Sequence, residues 1–177
     1  MIFAKERDPR LVAVRRGGTL TDEHHRLLAL WAADCAEHVL RFFEDARPAD
    51  QRPRRAVEAA RAWTRGEMPM MESRAAGGHA NGAARDLEGA AREAAHAAGQ
   101  AGCVPHVAEH ALGAAAYAIR AARAAAGEER DEAGRAECAW QRERLPDAIY
   151  GLVLDDQRRR NEYCWRAFDF QPRPAES

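Results

Sequence analysis

Apolar residues return at helical intervals along most of the chain. Leu28, Trp31, Ala32, Cys35, Val39 and Phe42 recur every three or four positions, which places them on one face of an α-helix that should bury Trp31 and Phe42. Thr21, followed by Asp22 and Glu23, supplies a capping hydroxyl and two acids suited to the positive end of the helix dipole. The pattern predicts a helix from there to about Ala46, ended by the prolines of ARPADQRPRR. A second helix follows in RRAVEAARAWTRG and stops at Gly66. The alanine-rich stretch beyond it divides into a helix of about 70 to 85, a turn at DLEG and a long helix of about 88 to 126 that Pro105 bends or interrupts. Glycines 77, 78 and 82 weaken the first of these, and close approach of two helix backbones is the reason to expect them there. GEERDEAGR is a charged connection or helix start, AECAWQRERL another helix, and Pro146 restarts the chain into DAIYGLVLDDQRRRNEYCWRAF.

These elements make an all-α, single-domain bundle of five to seven helices with a short extended N-terminal arm. Residues 1–20 form the arm, an extended piece or lone strand built on RLVAVRRGG; residues 21–170 form the bundle, and residues 171–177, QPRPAES, a disordered tail.

Composition alters this picture little. Of 177 residues, 46% are hydrophobic, but much of that share is alanine, which signals closely packed helices rather than large buried side chains. Basic residues number 27 and acidic ones 28, so no overall field draws the molecule to nucleic acid or to an anionic membrane surface. QRRRNEYCWR is the best local candidate for a nucleic-acid patch, but Asp155, Asp156 and Glu162 surround its arginines and favour a salt-bridged helix face. Cys35, Cys103, Cys138 and Cys164 stand singly, as reduced thiols of a cytoplasmic protein do. No signal peptide or membrane span is expected, and no nucleic-acid or membrane partner.

Three constellations invite chemistry. His106 and His110 with Glu109 spell H-x-x-E-H, the order of one zinc-peptidase class. Glu109, however, sits about 100° off the histidine pair on a helix. No downstream acid offers a third ligand, so buried, hydrogen-bonded histidines are the better reading. Glu93 and His96 form one Glu-x-x-His pair, half of what a di-iron bundle requires, and no second copy exists. Asp34 and His38, one turn apart beside Trp31, could form an orienting carboxylate–imidazole pair, but no nucleophile accompanies them and a polar rim pair is preferred. No metal site, cofactor or catalytic set is therefore expected. The stripe of Gly99, Cys103, His106, His110, Gly113 and Tyr117 on the long helix is mixed in character and must meet something polar. Trp31, Asp34, His38, His96, His106, His110 and Tyr117 are the candidate binding residues.

RLVAVRRGGTLTDEHHRLLALWAADCAEHVL, RPRRAVEAARAW, HVAEHALGAAAYAIRAARAA and AWQRERLP together resemble the Imm-5-like immunity proteins of actinobacteria, which are associated with polymorphic toxins. The resemblance runs over most of residues 8 to 165. It implies an all-helical cytoplasmic protein that binds and neutralises a cognate protein toxin. The alternative, read from the residues alone, is a small helical enzyme or small-molecule-binding protein with a pocket lined by His106, His110 and Tyr117, and also by Asp34 and His38.

Overall fold

A computed structural model describes residues 6–170. Among these the chain forms seven α-helices and no strands, packed as one all-α bundle. The tail at 171–177 lies outside the described residues.

Helix α1 (Asp22–Ala46) begins where the capping pattern places it: the Thr21 hydroxyl accepts from the His24 amide at 3.2 Å, and Asp22 and Glu23 occupy the first turn. It buries Leu28, Trp31, Ala32, Cys35, Val39 and Leu40. Phe42 is only half-buried, because Phe43 takes the core position beside it. Helices α2 (Arg52–Thr64) and α3 (Met70–Ala83) follow.

The long helix expected over 88–126 is two helices. Pro105 has no N–H to donate and its ring crowds the preceding turn. Helix α4 (Gly89–Cys103) therefore ends there, a tight corner spans 104–109, and α5 (His110–Ala125) runs back along α4. The stripe from Gly99 to Tyr117 accordingly belongs to two helices and a corner. Helix α4 is the hub, packed against α5, α3, α1 and α2. Its alanines 94, 95, 97, 98 and 101 are fully buried beside Ala114, Ala115, Ala116 and Ala118 of α5. Small side chains let the helix axes come close, so the core gains more from dense contact than from large buried area.

The α3–α4 seam is the tightest place. A Cβ on Gly77 would stand 2.6 Å from the Gly99 carbonyl, and one on Gly102 would stand 2.8 Å from the Gly77 Cα. The Ser73 hydroxyl donates to the Gly102 carbonyl across the seam at 2.9 Å. Of the three glycines flagged in α3, only Gly77 needs to be glycine for close approach: Gly78 faces open space, and Gly82 has only the Arg52 guanidinium nearby.

Helix α6 (Arg130–Glu143) packs on α5, and α7 (Asp147–Arg160) lies more lightly on α1 and α5. Residues 1–5 lie outside the described residues, and the rest of the N-terminal segment, 6–20, is folded rather than extended. It makes 3-10 turns at Pro9–Leu11 and Val14–Arg16 and a single bridge between Ala13 and Leu20, where the Val-rich run suggests a strand. Charge holds this segment down. Arg7 donates to the buried Glu109 carboxylate, while Asp8 accepts from Arg10 and Arg159, and Asp155 from Arg10 and Arg158. With the Arg160–Asp156 pair, all three arginines of the QRRR run are matched to acids of this chain. No helix among the described residues is long and apolar enough to cross a membrane.

Candidate functional site

The side chains with chemistry to offer fall into three places. The first joins α1 to α6. His38 does not pair with Asp34, whose carboxylate accepts from Arg61 at 2.7 Å. Its Nδ1–H instead donates to Glu137 Oε2 at 2.7 Å. The Glu137 side chain is only 4% exposed, whereas that of His38 is 41% exposed. The other Glu137 oxygen accepts from Gln141 Nε2 at 2.9 Å, and the same amide donates to the Ala115 carbonyl at 3.1 Å. The main-chain carbonyl of Gln141 accepts from the indole of Trp31 at 2.8 Å, while its side-chain oxygen is buried without a partner. A buried network through α1, α5 and α6 thus fixes one exposed imidazole.

That imidazole lies flat on Trp140, with centroids 3.6 Å apart and planes 3° apart. The Arg144 guanidinium carbon stands 3.9 Å from the centre of the same indole. Two groups that close to one ring must occupy opposite faces, so Arg144, Trp140 and His38 form a three-layer column on the surface.

The second place lies on α4 and α5. Asn81 donates its amide N–H to the Gly77 carbonyl and so presents its oxygen to His96, which makes His96 Nδ1 the donor at 2.9 Å. The His96 ring sits 5.1 Å from Tyr117, and Tyr117 sits 4.9 Å from Trp165, which is 43% exposed. Arg120 lies 4.1 Å over Trp165 and donates to Glu93 at 2.9 Å. The second Glu93 oxygen is buried without a partner. Glu93 and His96 are therefore engaged with separate groups, not with a shared metal. Burial lowers the His96 pKa and raises that of Tyr117.

The third place is the α4–α5 corner. His110 Nδ1–H donates to Gln100 at 2.7 Å. Burial first, then His106, Arg160 and Arg74, pull the His110 pKa down to about 4. His106 is lowered too, by desolvation and then by Arg74, Arg16 and Arg7. Glu109 between them is bound to Arg7 through its carboxylate and to Arg160 through its carbonyl. It is a buttress for the arm and has no free oxygen with which to activate a zinc-bound water. Tyr117 stands two turns beyond His110 on α5 and joins His96 and Trp165 instead of the corner. Among the described residues no group of three or more His, Cys, Asp or Glu side chains is placed to hold a metal ion. All four cysteines are free; burial pushes the Cys138 thiol up to about 11 and Cys164 to about 12, which keeps both unreactive.

Glu137, Trp140, Arg144, Arg120 and Trp165 complete these clusters but are absent from the candidates read off the sequence. For α6 a signal exists: in ECAWQRER, Glu137, Trp140, Gln141 and Arg144 stand at i, i+3, i+4 and i+7, one polar-aromatic face. No such signal exists for Trp165, which meets Tyr117 only through the tertiary fold.

The family model described as "Imm-5 like putative immunity protein" matches residues 18–148, which span α1 to α6 and the whole Arg144–Trp140–His38 column but stop short of Trp165. No curated protein and no solved structure matches the chain.

Proposed function

The chain belongs to the Imm-5 like immunity proteins, and we propose on that footing that it binds a cognate protein toxin in the cytoplasm of the cell that makes both and holds it inactive. The family match over 18–148 carries this reading. The surface supports it: exposed His38 and Arg144 are held against the half-buried Trp140, and Trp and Arg are residue types that carry much of the binding energy at protein interfaces. An immunity protein needs no chemistry of its own, only a preorganised face tight enough to stay bound while the toxin is present.

The test is co-expression with a toxin encoded beside this gene. The reading predicts that growth is restored, that the purified proteins form a defined complex, and that toxin activity falls in proportion to complex formed. Failure to rescue, or rescue without a complex, contradicts it.

A further inference from the structure

We propose that the Arg144–Trp140–His38 column is the anchor of the toxin-docking face and that it seats an acidic side chain of the toxin; this rests on the immunity reading above. Both faces of Trp140 are occupied, so its indole can meet a partner only through its edge. The edges of the column are rich in donors. The Arg144 guanidinium has no acid partner among the described residues; its one hydrogen bond runs to the Trp140 carbonyl at 3.4 Å. The indole N–H of Trp140 has no acceptor among the described residues and is not fully enclosed. Arg41, one turn beyond His38 on α1, is exposed, lies over Phe42 and has no acid partner among the described residues.

Apart from Asp45, the acids nearby are engaged or face elsewhere. Glu137 is buried under His38, Asp34 and Glu37 are held by Arg61 and Arg54, and Glu143 lines the groove toward α7. Asp45 is exposed two turns beyond His38. The column is thus a rigid strip whose Arg144 fork and Trp140 N–H have no acid partner among the described residues, and a carboxylate is the group that a planar guanidinium fork beside an indole N–H takes best. The cation–π stack holds the guanidinium in place before the partner arrives, which lowers the ordering cost of binding.

Titration calorimetry with the catalytically inactivated toxin tests this, on wild-type protein and on Arg144→Glu, Trp140→Ala, His38→Gln and Trp165→Ala, each checked for an unchanged helical spectrum. Arg144→Glu should weaken binding by about 100-fold or more and Trp140→Ala by about 30-fold, with His38→Gln smaller. Trp165→Ala should change it less than about threefold. Reversing the facing toxin acid to arginine should restore part of the affinity of Arg144→Glu. Full affinity in Arg144→Glu and Trp140→Ala overturns the proposal while leaving the immunity reading intact. Sedimentation that shows a dimer of this chain lost in Arg144→Glu also overturns it, by assigning the column to self-association. Absence of any binding by the wild-type protein defeats the immunity reading itself, and this proposal with it.

Discussion

Two clusters on this bundle contain the same side chains, a tryptophan with an arginine on its face and a histidine nearby, yet they are built differently. In the Trp140 column, His38 and Trp140 stand on regular helix, and Arg144 is the residue that ends α6. The imidazole is fixed by a buried acid whose two oxygens are both satisfied, and the network ends on Trp31 in the core. The Trp165 cluster stands on the turn after α7, where Trp165 and Arg166 adopt φ of 55° and 56°, a conformation that bulky L-residues resist. Its acid, Glu93, keeps one oxygen unpartnered. The first cluster is supported from below by three helices; the second is held at the edge of the fold by a strained turn and one half-exposed ion pair. Each support leaves one buried oxygen unpartnered, that of Gln141 in the first and that of Glu93 in the second, so the comparison teaches that residue type does not identify an anchor, whereas an aromatic fixed on regular helix over a network that reaches the core does.

Removing the support under the first cluster should have the largest effect. Trp31→Ala deletes a core indole and the donor to Gln141, and should cost about 3 to 5 kcal/mol in urea unfolding. Loss of less than about 1 kcal/mol would show that the network does not rest on the core.

The α4–α5 side should instead be marked by acid sensitivity. His110 falls to about 4 in the folded protein, below the unfolded value near 6.5. The unfolded chain then takes up the proton first, so the contribution is fully present above about 6.5 and is lost as pH falls toward 4, on the order of 3 kcal/mol in all. His96 acts in the same direction. His110→Gln should flatten the acid limb of stability against pH; an unchanged limb would show that this imidazole is not desolvated.

The two acids should part company next. Glu137→Ala strands the His38 and Gln141 donors and should cost about 1 to 3 kcal/mol. Glu93→Ala, which loses a partly exposed bridge and removes an unpartnered oxygen, should cost under about 1 kcal/mol. Equal losses in thermal or urea unfolding would erase the distinction. At the strained turn the sign should reverse: Arg166→Gly should raise stability by about 0.5 kcal/mol; a loss would mean that the turn carries no strain worth relieving.

Much of the fold was legible in the sequence because periodicity and punctuation act locally. Thr21 to Ala46 reads as a helix from its cap and its apolar spacing, and Pro146 marks the start of α7. Pro105 was visible as a disturbance, but whether a proline bends or breaks a helix depends on what the next segment packs against, and here α5 gains by folding back along α4. The candidate site was half legible. His38, His96, His110 and Tyr117 take part in clusters, yet the local pairing of His38 with Asp34 failed, since each finds a partner from a distant segment: Glu137 is 99 residues from His38, and Arg61 is 27 from Asp34. Helical spacing shows which residues can meet on one helix, not which will be claimed by another.

Hydrogen exchange on the toxin complex tests the central claim most directly, because it compares the two clusters in one experiment. If the family role is exercised through the Trp140 column, adding the inactivated toxin should slow exchange in α1 around 34–42 and in α6 around 137–144, and leave 160–168 unchanged. Protection confined to the Trp165 turn and the facing part of α4 and α5, with the column unaffected, would contradict the account.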